Sequence, residues 1–216
     1  MEKALGGICD LLGGFAFKST DAVTESNVQL IRMGNLYQNV LDLDRKPSFY
    51  PESFAGEYSR YILSEGDLII SLTGTVDKED YGYTVEIPAT DRVLLLNQRI
   101  AKFIEIREEQ IDRKFFLHFL RSRTFLDDLY ASARGVRQAN LSSVSMKKLP
   151  VAFPSITEQK RLVAIFDMLE ENTKNLKAIY QQKLEALAEL KQSILQKAFA
   201  GELTSLPEKT LEEAVA

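Results

Sequence analysis

The chain has 216 residues, of which 45% are hydrophobic and 27% are charged, which suffices for one sizeable core or for one modest domain with an appended element. It contains no run of about 18 apolar residues and no basic-then-apolar leader, which argues against a membrane span or a secretory signal, so we expect a cytoplasmic protein. The single cysteine, Cys9, excludes an internal disulfide and a cysteine-based zinc site, and its apolar neighbourhood favours a small buried filler.

The net charge of -4 argues against indiscriminate binding to nucleic acid, but it conceals an asymmetry along the chain. Residues 42–91 contain eleven acidic and four basic residues, whereas residues 113–148 contain eight basic and only two acidic residues. A solvated helix face often carries such a basic run. Charge alone therefore does not distinguish a binding surface from an ordinary solvated surface.

Short β-branched and aromatic runs, separated by turn residues, predict strands in the first hundred residues. The strand candidates are 28–33, 67–74, 83–88 and 93–106. From residue 108 to about residue 132 the apolar spacing becomes helical, with an interruption expected near Ser122.

After this helical region, Asn140 or Ser142 is expected to cap a short helix that runs through Lys148. Pro150 and Pro154 then favour an extended segment, because proline disfavours helical backbone at the residue before it. The globular part is expected to end there.

A long helix is predicted from residue 155 onward. Ser155 and Glu158 have the spacing of a capping box, and Gly201 follows as a stop signal. Between them the apolar residues alternate at three- and four-residue spacing, with a one-residue slip near residue 180, as in a coiled coil. The predicted seam positions are Leu162, Ile165, Leu169, Asn172, Leu176, Ile179, Tyr180, Leu184, Leu187, Lys191, Ile194 and Ala198.

Such an apolar stripe needs a second surface to pack against, and the sequence allows two possibilities. The helix either packs on its own globular domain or, as we favour, pairs with a second copy in parallel or antiparallel orientation; Asn172 and Lys191 would then help to fix the register. We therefore predict an α+β fold with a strand-rich domain over 1–150, an extended segment and long pairing helix over 151–200, and a tail over 201–216.

No catalytic or metal site is evident from the sequence. The only histidine, His118, is interpreted as a structural or surface residue, and no GxxxxGK[ST], GxGxxG or HExxH motif occurs. The acidic cluster at 77–82 lacks the spacing of a calcium loop, so a solvated hairpin tip is favoured over a cation site.

Several motifs resemble, in chain order, the specificity (S) subunits of type I restriction-modification systems. They are "GGFAFKS", "GDLIISLTGTV", "NQRIAKF", and the stretch from "ARGVRQANLSSVSMKKLPVAFPSITEQKRL" to "LKQSILQKAFAGEL". The resemblance covers nearly the whole chain, and the passage from "LPVAFPSITEQKRL" into the heptad helix is its most specific part.

The resemblance implies a non-catalytic subunit that targets an enzyme complex to DNA. Members of this family usually carry two target recognition domains, each followed by a long helix, and the two helices pair antiparallel. This chain has one of each, so it resembles a half-size subunit. Either two copies pair, or the chain is a piece of a longer protein; Met1 and the stop after Gly201 favour the first. A homodimer would then read an interrupted palindrome on double-stranded DNA.

The resemblance also implies partners that carry the chemistry. Methyltransferase (M) subunits would bind S-adenosylmethionine and methylate adenine, and an ATP-driven restriction (R) subunit would join in some systems. No cofactor is expected in this chain.

Candidate DNA contacts are loop residues with polar or cationic side chains. They are Lys18, Ser19, Arg32, Asn35, Thr73, Thr75, Gln98, Arg99, Arg134, Arg137, Gln138, Asn140, Ser142 and Lys147. Each has an alternative as an ordinary turn or strand-edge residue, and Arg134 has a specific one, an ion pair with Asp127 or Asp128.

Two other functions remain open at this point. The first is a coiled-coil assembly module whose globular domain binds protein instead of DNA; the salt dependence of binding separates the two, because phosphate contacts make affinity fall steeply with salt. The second is a hydrolase that uses the acidic residues at 77–80 and would show metal-dependent turnover.

Overall fold

The computed structural model describes residues 1–75, 78–133 and 138–203, and the chain divides into two compact units, Met1–Val163 and Ala164–Ala216. The predicted boundary at residue 150 falls inside the first unit, because the next strand pairs with the N-terminal strand. Within the described ranges, no helix combines the length and the apolar character that a membrane span needs.

The first unit is built on two four-stranded sheets. One sheet is antiparallel and has the order β2 (Asp10–Gly13), β10 (Ile100–Ile104), β6 (Leu68–Ser71), β8 (Thr84–Glu86). The other has the order β4 (Phe49–Tyr50), β3 (Val28–Ile31), β9 (Val93–Leu96), β5 (Ile62–Leu63), with β3 and β9 parallel. The strand-rich fold predicted for this region is confirmed.

Two short ladders join distant parts of the same unit. β1 (Glu2–Ala4) pairs with β12 (Pro150–Ala152), and β7 (Thr73–Thr75) pairs with β11 (Gln138–Asn140), both antiparallel.

The described residues also form five α-helices, besides short 3-10 helices. They are α1 (Phe54–Glu57), α2 (Arg113–Leu120), α3 (Arg123–Ser132), α4 (Ser143–Met146) and α5 (Ile156–Phe199). The interruption predicted near Ser122 is confirmed, because Ser122 caps α3 by accepting a hydrogen bond from the Phe125 backbone N–H at 3.3 Å. Of the two caps considered for the short helix, Ser142 is used.

The main core lies between the antiparallel sheet and helices α2 and α3. Phe103 of β10 meets Phe116 of α2 edge to face, with ring centroids 5.2 Å apart. Cys9 is buried in this core, and burial raises the pKa of its thiol to about 12. The prediction that Cys9 is a buried filler is confirmed.

Helix α5 begins where the capping pattern predicted. Ser155 Oγ accepts a hydrogen bond from the Glu158 N–H at 3.4 Å, while the Glu158 carboxylate binds Arg161 instead of returning to the cap. Val163 is buried and Leu162 packs against the main core, so the first predicted seam position, Leu162, contributes to the globular unit.

In the second unit the apolar stripe of α5 is exposed to solvent. Leu184 is 62% exposed and Leu187 is 60% exposed. The predicted long helix is confirmed. Its pairing as a coiled coil stays a prediction.

Candidate nucleic-acid interface

A cleft of about 500 Å³ lies where three segments from two connections of the first unit meet. Two of the segments are the beginning and the end of the connection from β3 to β4, and the third connects β9 to β10. Among the described residues that line the cleft none is acidic, and four are cationic: Arg32, Arg45, Lys46 and Arg99. The cleft therefore presents concentrated positive charge on a chain that is acidic overall.

Four of the predicted DNA contacts meet in this cleft, although they come from two distant segments. Arg32 and Asn35 follow β3, and Gln98 and Arg99 lie between β9 and β10. Parallel pairing of β3 with β9, with Ile31 opposite Leu96, brings the ends of both strands to the same edge of the sheet. This register is what unites the two segments.

Asn35 organises the first wall of the cleft. Its side-chain amide donates to the carbonyls of Asp42 and Arg45 at 2.8 and 3.1 Å, and its Oδ1 accepts from the Arg32 N–H at 2.9 Å. The side chain is buried and its amide is committed to backbone groups. Asn35 thus sets the shape of the loop, and we leave it out of the groups that face a ligand.

A second brace ties the same loop to the sheet. Gln29 is fully buried, donates to the Leu43 carbonyl at 2.5 Å and accepts from Arg92 at 2.9 Å. Arg92 also pairs with Asp44 at 2.8 Å. The Asp42 carboxylate accepts from backbone N–H groups of the same loop. The loop's acidic groups are therefore engaged in holding its fold.

The cations of this wall are held in place as well. The Arg32 guanidinium donates to the Lys46 carbonyl, and the Arg45 guanidinium lies 5.0 Å from the centroid of the Tyr37 ring. Neither Arg45 nor Lys46 was among the predicted contacts, because both stand in the acid-rich segment 42–91. The adjacent pair "RK" before a proline was the local signal that could have identified them.

The second wall is the connection from β9 to β10. Phe15 accepts from the Gln98 N–H at 2.9 Å and donates to the Leu96 carbonyl at 3.0 Å. At Gly14 an added Cβ would lie 2.1 Å from the Asn97 carbonyl oxygen, so only glycine permits this approach. The "GGF" stretch thus fixes the backbone that carries Gln98.

The ladder of β7 and β11 lies beside the cleft. Thr73 is buried, and its hydroxyl donates to the sulfur of Met33, which lines the cleft, at 3.3 Å. Asn140 is registered opposite Thr73, and Gln138 opposite Thr75. These four predicted contacts therefore share one ladder, whereas Arg134 and Arg137 lie outside the described residues.

The remaining predicted contacts do not line the cleft. Lys18 and Ser19 are exposed near β4, where the Lys18 carbonyl accepts from Tyr50 at 3.2 Å. Ser142 caps α4, and Lys147 pairs with Asp10 at 2.5 Å; this hydrogen bond lowers the pKa of the Asp10 carboxyl. Ser142 and Lys147 therefore have structural roles in this structure.

Several described cations of the basic run 113–148 also serve the fold. Arg121 donates to the Thr84 carbonyl at 2.9 Å, and Arg123 pairs with Glu79 and with Asp127 at 3.0 and 2.7 Å. The basic run is thus largely structural where it is described, and the concentrated charge lies in the cleft instead.

The acidic cluster at 77–82 is described only from Lys78 onward. Asp80 accepts from the Thr75 N–H at 2.5 Å, and Glu79 pairs with Arg123. Among the residues whose placement is described, no group of three or more His, Cys, Asp or Glu side chains is arranged to hold a metal ion.

Comparison with known proteins identifies the family. The family model for the type I restriction modification DNA specificity domain matches residues 1–186. The specificity subunit of the type I restriction enzyme EcoBI from Escherichia coli is 28% identical over 207 residues, which make up 94% of this chain and 39% of that subunit.

Solved structures show a similar fold. A chain from a structure that addresses complex assembly and conformational transition of the type I R-M system aligns with a TM-score of 0.67 at 19% identity, covering 92% of this chain and 45% of that chain. The HsdS subunit from Thermoanaerobacter tengcongensis gives a TM-score of 0.60 at 19% identity, covering 93% and 45%. This chain therefore spans less than half the length of these relatives.

Proposed function

Because this chain belongs to the type I restriction modification DNA specificity family, we propose that its globular unit recognises a short DNA sequence on behalf of a type I restriction-modification complex. The cleft between these two connections is the proposed recognition surface. In this role the chain supplies specificity, and catalysis belongs to other subunits.

The observation that carries this proposal is the charge of the cleft. Four cations line it, and the acidic residues of the neighbouring loop are used in internal hydrogen bonds or paired with Arg92. Cations that the protein does not neutralise are available to phosphate oxygens, which supply much of the affinity of proteins for DNA. On a chain that is acidic overall, a basic cleft favours binding of DNA at that cleft over indiscriminate adhesion.

We further propose that two copies act together through α5. The support is the exposed stripe of the second unit, where Leu176, Leu184 and Leu187 stand at the predicted seam positions with half or more of their surface open to solvent. Pairing with a second α5 would bury these side chains. Two-fold symmetry would then require two inverted half-sites separated by an unread spacer.

The proposed partners follow from the family. Methyltransferase subunits would bring S-adenosylmethionine, and a restriction subunit would bring the ATP-driven activity. The names of the relatives describe them as specificity subunits of restriction enzymes, which supports a targeting role for this chain.

Binding to DNA is tested with the full chain and its methyltransferase subunit on a duplex library with a randomised segment. We expect enrichment of one bipartite motif and a steep fall of log affinity with log salt. Binding that is insensitive to both sequence and salt would instead favour the alternative of an assembly module that binds protein.

Pairing is tested by light scattering on the chain alone, with a double variant, Leu184→Glu and Leu187→Glu. We expect about twice 24.4 kDa for the unchanged chain and the monomer mass for the variant. A control with Gln182→Glu and Ala186→Glu adds the same charges away from the seam and keeps the dimer. A monomeric unchanged chain would overturn the pairing and the palindrome.

A further inference from the structure

The four cationic side chains of the cleft differ in whether they already contact other groups of the protein. We propose that Arg99 is a specificity-determining residue that reads a guanine in each half-site, whereas Lys46 contacts a phosphate and carries no sequence information. This inference rests on the proposed function of the cleft in DNA recognition.

Two of the four cations already have partners on the protein. The Arg32 guanidinium is bound to the Lys46 carbonyl, and the Arg45 guanidinium lies over the Tyr37 ring. To bind a base edge with both donors of its fork, each would first have to change these contacts. Their present geometry suits them to shaping the wall and its charge.

Arg99 combines a fixed backbone with an uncommitted side chain. Its N–H donates to Asn97 Oδ1 at 3.1 Å, and its carbonyl accepts from the Leu72 N–H at 2.8 Å. Within the described part of the chain its guanidinium has no hydrogen-bond or ion-pair partner, and the residue is exposed in the cleft. An arginine with a fixed backbone and a free, planar guanidinium is suited to specific recognition, because little conformational entropy is lost when it binds.

The chemistry of the fork selects the base. Guanine presents two acceptors, O6 and N7, side by side, and a guanidinium donates to both at once. Adenine offers a donor beside N7, and cytosine offers a donor, so neither matches two parallel N–H groups. The half-site is therefore expected to contain a guanine opposite Arg99.

Lys46 has the opposite properties. Its backbone is left-handed, with φ 49°, and Arg32 holds its carbonyl, so its position in the loop is fixed. Its ammonium is a compact charge that can approach an oxygen from many directions and has no planar fork. Such a group suits a phosphate, which is the same for every base pair.

The test compares selected DNA motifs from the full chain with its methyltransferase subunit. The variants are Arg99→Ala, Arg99→Gln and Lys46→Ala, and the control is Arg60→Ala, an exposed arginine outside the cleft. Circular dichroism melts of each variant check that it folds. The probe is a duplex library with a randomised segment, followed by titration of single-base variants of the selected motif at several salt concentrations.

We expect both Arg99 variants to lose discrimination at one G·C pair of each half-site by about 5- to 150-fold and to keep the rest of the motif. We expect Lys46→Ala to weaken all sequences by a similar factor, to reduce the salt slope by about one, and to leave the motif unchanged. Arg60→Ala should change neither property.

The failures of the two proposals are distinguishable. If the unchanged complex enriches no motif, the proposed function fails. If it enriches a motif without a G·C pair, or if both Arg99 variants enrich the same motif with the same discrimination, only the role of Arg99 is overturned. Loss of folding in both Arg99 variants would also overturn it, because that side chain would then be holding the structure.

Discussion

Replacing Gln159 with leucine tests how the first turns of α5 are attached to the globular unit. Gln159 is fully buried. Its Oε1 accepts from the Asp112 N–H at 2.7 Å, and its Nε2 donates to the carbonyls of Gln110 and Pro154, both at 2.9 Å. One side chain thus satisfies three backbone groups from two separate segments.

The expected cost follows from these three bonds. Each contributes about 1 kcal/mol net, and a buried backbone group that loses its partner costs about 1–3 kcal/mol. Leucine has a similar size and regains some apolar burial, which offsets part of the loss. We therefore expect Gln159→Leu to lower the free energy of unfolding by about 3 kcal/mol, which moves the urea midpoint down by about 1.5 M at a typical slope of about 2 kcal/mol/M.

Tyrosine fluorescence during urea unfolding provides the assay. Of the eight tyrosines, all except Tyr180 lie in Met1–Val163, so the signal reports mainly on the globular unit. Lys160→Leu, at an exposed neighbouring position, is the matched control and should change the midpoint little. A decrease below about 1 kcal/mol for Gln159→Leu would show that water or backbone movement replaces these bonds, and the reasoning would be wrong.

Three further predictions concern other parts of the first unit. Because burial raises the pKa of Cys9 to about 12, the thiol stays protonated at pH 8, and we expect a disulfide reagent to label it only after denaturation; rapid labelling of the folded protein would contradict its burial. Gly14→Ala is expected to destabilise the protein by about 1–3 kcal/mol in urea, since its methyl group would meet the Asn97 carbonyl, whereas Gly13→Ala has open space and serves as the control; equal stability of the two variants would refute the close approach. Asn35→Ala removes three hydrogen bonds from the loop that carries Lys46, so we expect lower DNA affinity across all sequences by anisotropy and a loss of about 2 kcal/mol in urea; unchanged affinity would show that the loop keeps its shape without this amide.

The cleft is a feature that the sequence alone does not predict. Arg32 and Arg99 were candidates because each has a cationic side chain within a polar stretch that could form a loop, although Arg99 falls inside the predicted strand 93–106. Nothing in their local sequence states that they are neighbours. The prediction of one strand over 93–106 is wrong, because this run contributes β9 to one sheet and β10 to the other. The connection between these strands, which carries Arg99, became visible as a cleft wall only through that division.

Roles within the candidate site were also beyond the sequence. Asn35 and Gln98 look equally suited to a base edge as amides in turns, yet Asn35 is buried and bound to three backbone groups, while Gln98 is exposed. Lys147 looks like a phosphate ligand until Asp10, more than a hundred residues away in the chain, is found beside it. The role of each side chain depends on the groups that it contacts, and these groups come from distant segments of the chain.

The sequence by itself determined the features that depend on neighbours in the chain. These are the start and length of α5, the break at Ser122 and the apolar stripe beyond Val163, because helix periodicity and capping involve residues only three or four positions apart. Tertiary structure alone decided the cleft. Its charge is concentrated because parallel pairing of β3 with β9 places Arg32 and Arg99 at one edge of the sheet. Hydrogen bonds from the buried side chains of Gln29 and Asn35 hold the loop that adds Arg45 and Lys46 to the same cleft.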